Sequence, residues 1–295
     1  MRFLAVALLL MAAFQKPLDP SAWGGNHAGK PIPEYVHGDE CLFCHRNNIG
    51  PTWQKNPHGI AVRQKEDAPE LAALLKDQNI SPQVEYFLGG HRRVRFLRKI
   101  GYGKFSIWAS DKTAWDSEKF ANRCAGCHAT GVDSSTRSFT AFGIDCFACH
   151  GDVTLDHTKD TRLMWLSKKR RDDARAITSI CAQCHLRSGK SRSTGLPYAN
   201  TFIAGDNLFQ DFEVDFAKAD DESLNPGDRH VWRNVRDVAI RGEPGTTCLS
   251  CHDVHDNSTS KHREVAKAAI CADCHGTPFK AAAIRYEAHS ALCEY

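Results

Sequence analysis

Residues 124–150 read CAGCHATGVDSSTRSFTAFGIDCFACH, two Cys-x-x-Cys-His pentapeptides with seventeen residues between them. The same pentapeptide recurs outside this stretch, and the full set is Cys41/Cys44/His45, Cys124/Cys127/His128, Cys146/Cys149/His150, Cys181/Cys184/His185, Cys248/Cys251/His252 and Cys271/Cys274/His275. From the Cys and His content of this chain, roughly 0.03 copies are expected by chance, so six demand a chemical reason. Two thiols three residues apart can add across the two vinyl groups of one porphyrin. The histidine that follows then lies under the ring and gives its imidazole to iron. A four-cysteine zinc site, a redox dithiol or a disulfide framework also uses paired cysteines, but none needs a histidine after every second one. The motifs therefore predict six covalently bound haem c groups.

That reading organises the rest of the chain. Six motifs in 295 residues leave about 49 residues for each. Flat macrocycles would supply much of the buried apolar surface, which reconciles a compact protein with a mean hydropathy of -0.44. The expected fold class is mainly α with extensive irregular coil and a small β-hairpin, a multihaem architecture organised around packed haems. The formal net charge of +3 would be outweighed by about -12 from ionised propionates. Basic clusters such as Arg92, Arg93, Arg95, Arg98 and Lys99, or Lys168 to Arg171, are then propionate counter-ions or a solvated face. They do not read as nucleic-acid contacts.

Arg2 followed by the apolar run Phe3 to Phe14 reads as an export signal, too short to span a bilayer comfortably. The expected organisation is a signal peptide at 1–13, an extended segment at 14–39, a four-haem region at 40–187 and a two-haem region with its connector at 188–295. A retained N-terminal anchor is the alternative to cleavage. Within the motif-free intervals, Ala68 to Lys76 reads as a helix and Val94 to Ala109 as a hairpin around Gly101-Tyr102-Gly103. Val231 to Ile240 reads as a helix with Asp228 near its start, and Phe279 to Cys293 as a terminal helix. Cys293 lies outside every motif.

Nine histidines remain once the six proximal ones are assigned: His27, His37, His58, His91, His157, His230, His255, His262 and His289. A second axial histidine makes a low-spin iron suited to electron transfer, whereas an open position can bind a small molecule. His255, three residues beyond His252, is too close in sequence to cap its own iron and is expected on a neighbouring one. His230 beside Trp232 and His289 are candidate caps for the fourth and last irons. His91, His262 and His37 are reserves, and His27 is expected at the surface.

Cys41 to Ala61 (CLFCHRNNIGPTWQKNPHGIA), with RCAGCHATGV, GIDCFACHGDVTLDH and ICAQCHLR, resembles the family of tetrahaem cytochromes that accept electrons from hydroxylamine oxidoreductase. The similarity spans Glu40 to Arg187, and two further motifs follow it. It implies that His58 caps the iron of the Cys146/Cys149 motif, that His157 caps that of Cys41/Cys44, and that the iron at His128 lacks a distal histidine. The function expected is electron carriage through closely packed haems, without catalysis. The protein would be periplasmic or extracellular, with no membrane span after signal cleavage. Its expected partners are a quinol-oxidising membrane cytochrome, an exported oxidoreductase or an outer-membrane conduit. Two alternatives stand: a reductase or oxidase of a small nitrogen or sulfur compound at a five-coordinate haem, and a subunit of an extracellular conductive filament.

Overall fold

The computed structural model describes residues 26–75, 79–90, 93–224, 226–241 and 247–256. The sixth motif, the proposed signal, the terminal helix, His91, His262 and His289 lie outside the described residues. From 62 to 116 the chain builds a five-stranded antiparallel meander: β1 Val62–Gln64, β2 Tyr86–Gly90, β3 Arg93–Gly101, β4 Lys104–Ala109 and β5 Ala114–Asp116. The expectation of a mainly α fold with one small hairpin is corrected here. The hairpin at 94–109 is present as β3 and β4, but it is the centre of a sheet. The two outer strands are three residues each, too short to show an alternation of their own.

Alternation of side chains makes this sheet two-faced. Phe87 pairs with Phe96, and Trp108 with Trp115. Both pairs pack on the face covered by Ala68, Leu71, Leu75, Ile80 and Val84. Leu88, Leu97, Phe105 and Ile107 point the other way, against Phe120, Cys124, Ala125 and Phe139. Each such buried side chain contributes about 1.5–3 kcal/mol relative to exposure. The helix expected over Ala68 to Lys76 is one turn, Pro69–Ala72. Its apolar residues close over the sheet without needing more helix.

The stretch 124–150 folds as its pattern suggests and fixes two motifs relative to each other. A π turn at Phe120–Cys124 leads into the single helical turn Ala125–His128. The hairpin β6 Ala129–Asp133 and β7 Ser138–Phe142 follows, and then the turn Phe147–His150. Ala129 pairs with Phe142, so the two ends of the hairpin meet. Gly143 N–H donates to the His128 carbonyl at 3.1 Å, and the Thr130 hydroxyl donates to the Gly143 carbonyl at 2.9 Å. The end of the second motif and the start of the third are thereby joined.

The fourth motif ends the helix Ala174–His185, whose N-terminus is capped by the Asp173 carboxylate at 2.7 Å from Arg175 N. Ala182 and Leu186 pack with Leu208, Phe209, Phe212, Trp232 and Val235. The expected boundary between 187 and 188 thus falls inside one apolar cluster. The helix expected over Val231 to Ile240 is Pro226–Asn234, continued by a π turn at Val235–Arg241. A small pairing of β8 Lys190–Ser191 with β9 Phe212–Glu213 ties the connector together. The acidic residues of this segment are structural. Asp211 accepts from Ser191 Oγ at 2.6 Å and from Ser193 N at 3.1 Å. Among the described residues no helix is long and apolar enough to cross a membrane.

Candidate haem-binding site

In the second to fifth motifs, the Cys-x-x-Cys-His segment takes a helical turn: Ala125–His128, Phe147–His150, the end of Ala174–His185, and Cys248–Cys251. The first motif ends the helix Gly38–His45. Residues three and four apart share a helix face, so this local fold turns both sulfurs and the imidazole to one side. After the third motif the chain must reverse at once. Gly151 does so at φ 71°, the left-handed region that glycine enters at least cost.

The motifs meet through their cysteines. Cys41 hydrogen-bonds Cys146, joining the first and third motifs. Cys184 hydrogen-bonds Cys127, and Cys181 hydrogen-bonds Cys248. Cys149 interacts electrostatically with both Cys181 and Cys184, and Gln183 Nε2 donates to the Ala148 carbonyl at 3.1 Å. The helix Ala174–His185 therefore touches the second, third and fifth motifs. Contact with the neighbouring thiol and burial together raise the Cys181 and Cys184 thiols, and burial raises Cys149 to about 11. The neighbouring thiols act the other way on Cys41 and Cys248, which Cys146 and Cys181 hold below the ordinary thiol value.

The histidines form cross-motif pairs. His45 and His157 have ring centroids 6.3 Å apart. His58 and His185 are 6.0 Å apart with planes at 90°. His150 and His255 are 5.8 Å apart with planes at 29°. Two imidazoles on opposite sides of one iron, each bonded at about 2.0–2.1 Å, place their centroids roughly 6 Å apart. The three separations fit that geometry. Two rings are also aimed by backbone carbonyls: His150 Nδ1 lies 2.7 Å from Trp165 O, and His157 Nδ1 lies 2.7 Å from Thr154 O. Each is thereby left with Nε2 for a metal. Burial lowers His58, His150 and His255 below the ordinary histidine value. Burial, with the Arg187 charge, lowers His128 to about 4. These rings are neutral, the form that binds metal.

The pairing differs from the expected one in two places. The ring contact of His58 is with His185 of the fourth motif, while His150 of the third is met by His255. His230 is exposed on the helix Pro226–Asn234, and the ring that meets His185 of the fourth motif is that of His58. These contacts join segments a hundred or more residues apart, which local spacing does not encode. His27 is held by Asp206, with Nδ1 2.9 Å from the carboxylate, so it is only partly a surface residue. His37 precedes the first motif helix and packs 4.8 Å from Tyr35. Of the basic candidates, Arg98 lies over Trp115 at 4.6 Å. Arg170 lies over Trp165 at 3.5 Å and pairs with Asp172.

One residue at the site carried no mark in the motif pattern. Asn56 is fully buried between the segments bearing His58 and His255. Gly59 follows His58 because a Cβ there would collide with the Trp53 carbonyl. The short Asn-Pro-His spacing of an Asx turn was the available signal for Asn56.

Residues 104–151, which contain the second and third motifs whole, match the family model described as cytochrome c554 and c-prime. Over a much longer span, the structure resembles that of the outer cell wall cytochrome OcwA. The TM-score is 0.51 at 20% identity, covering 82% of this chain and 67% of that one. The fold is that of a multihaem cytochrome. An undecahaem cytochrome from the S-layer of Carboxydothermus ferrireducens is also similar, with TM-score 0.44 and 17% identity over 94% of this chain and 46% of that one. No curated protein matches the sequence.

Proposed function

We propose that this protein is an exported hexahaem c-type cytochrome that carries electrons between redox partners. The reading rests most on one observation: different motifs are in contact, with Cys127 Sγ 3.8 Å from the Cys184 carbonyl, Cys184 Sγ 3.7 Å from the Gly126 carbonyl, and His150 of the third motif paired with His255 beyond the fifth at 5.8 Å. Sulfurs so placed hold their haems as neighbours. Bound haem would supply a one-electron ferric/ferrous couple at each motif. His45 with His157, His58 with His185 and His150 with His255 would hold three irons six-coordinate, a state that changes electrons with little movement of ligands. Trp165 and Thr154 carbonyls orient the rings of His150 and His157. Cys271, Cys274 and His275 complete the sixth motif, and His289 remains a candidate cap.

On this reading residues 1–13 direct export and are removed, and 40–187 and 188–295 are the four-haem and two-haem regions. The partners are proteins of the exported electron-transfer chain: a quinol-oxidising membrane cytochrome, an exported oxidoreductase or an outer-membrane conduit. The test is low-temperature EPR of the oxidised protein, followed by reduction under carbon monoxide or nitric oxide. An electron carrier should be dominated by low-spin signals and show no substrate-dependent reoxidation. Turnover of hydroxylamine, nitrite or sulfite at a high-spin iron would replace this reading with that of a reductase.

A further inference from the structure

The buried carboxamide of Asn56 touches the backbone beside both His58 and His255. Its Oδ1 accepts from His58 N–H at 2.8 Å. Its Nδ2 donates to the Val254 carbonyl at 2.8 Å and to the Asp256 carbonyl at 2.5 Å, the residues on either side of His255. Two carbonyls at one end and an N–H at the other fix which end is the amide nitrogen. The side chain has no solvent exposure, so no water replaces a lost partner. Further contacts lock the same stretch: Asn56 N–H donates to Trp53 O at 3.0 Å and Ile60 N–H to Asn56 O at 2.9 Å. The Trp53 ring meets the His255 ring edge-on at 6.3 Å.

The two histidines serve different motifs, His58 facing His185 and His255 facing His150. We infer that Asn56 is a positioning residue that sets the axial ligands of two irons at once, those of the third and fourth motifs. His255 would be the distal ligand of the third, although it belongs to the segment that carries the fifth. This inference rests on the cytochrome reading and adds to it a specific coupling. The backbone just beyond the fifth motif and the ligand sets of two other motifs would be held by one amide.

The chemistry predicts an asymmetric response. In Asn56→Ala both arms are lost, so the third- and fourth-motif irons should both change spin state or midpoint potential while the other four do not. In Asn56→Asp the acceptor for His58 N–H remains, but a carboxylate oxygen now faces two carbonyls. Only the third-motif iron should respond. The readouts are EPR of the oxidised holoprotein and a potentiometric titration, with haem content checked by intact mass. His255→Met is the independent arm. It should create one methionine-ligated iron, seen as a sulfur-to-iron charge-transfer band, and this band should be absent when Cys146 and Cys149 are also changed to Ser. If Asn56→Ala fails to mature, Asn56→Asp and His255→Met decide the matter. An Asn56→Asp spectrum and potentials identical to those of the unaltered protein, or a His255→Met band that survives loss of the third motif, would overturn the proposal. A wild-type protein of bare-chain mass would overturn the cytochrome reading itself, an outcome distinct from either.

Discussion

The meander at 62–116 and the motif cluster at 124–256 are held together in different ways. The first closes on an apolar core that it shares with the hairpin of the second: Phe105 stacks on Phe142 at 4.3 Å and on Phe139 at 5.4 Å, with Tyr86 edge-on at 5.0 Å. The second has an apolar cluster behind the helix Ala174–His185, at Leu208, Phe212 and Trp232, while on its other side the motif turns meet through cysteines and paired histidines. Side chains suffice to order the sheet. The motif cluster is spaced for something larger than side chains. On the proposed reading, one chain combines a scaffold that folds by burial with a region whose interior haem would complete.

Removing haem attachment at the hub should break that contrast most severely. Cys181→Ser with Cys184→Ser removes contacts to the second, third and fifth motifs together. The expected result is poor maturation, seen as a sharp fall in haem-stained protein, with loss of more than one haem by intact mass. Cys41→Ser with Cys44→Ser touches one partner motif and should lose a single haem while the rest matures. Equal effects from the two pairs would argue against a hub.

On the scaffold side, Phe105→Ala should cost about 3–5 kcal/mol in a denaturant titration, because the ring is buried among four aromatics. Because the ring packs in the same cluster as Cys124 and Ala125, any spectral change in this variant should be confined to the second-motif iron, with the haem count unchanged. A changed spin state at the other irons would show that scaffold and motif cluster are not separable.

A smaller effect is expected at Asp211. Burial pushes its carboxyl up, but Ser191, Ser193 and the Asn200 N–H outweigh this and hold it below the ordinary value. A depressed folded value means that the stabilisation is present above about pH 4, the unfolded value, and fades as pH falls through the folded one. Asp211→Asn should therefore lose about 1–3 kcal/mol at neutral pH and flatten the acid limb of the stability curve. An unchanged acid limb would contradict this assignment. At the low end, Tyr102→Ser at the exposed β3–β4 turn should change stability by less than about 0.5 kcal/mol.

The motifs were legible because the chemistry confines two cysteines and a histidine to five consecutive residues. The β3–β4 hairpin was legible because nine- and six-residue strands show their period around a glycine turn. Val62–Gln64 and Ala114–Asp116 were not, since three residues hold too little pattern, and they pair only because the central strands recruit them. His157 as partner of His45 came from the resemblance. The partners of His58 and His255 depend on how residues 56 and 254–256 cross, a tertiary event with no local trace. Asn56 shows the same limit: its role appears only when both segments it bridges are in place.

The central claim is that iron porphyrins complete the interior of this molecule. Intact-mass measurement of the mature exported protein, paired with its reduced optical spectrum, tests it most directly. The account predicts a mass above the processed chain by six covalently attached haems and c-type absorption bands. A colourless product at the mass of the bare chain, or one carrying only zinc, would contradict it.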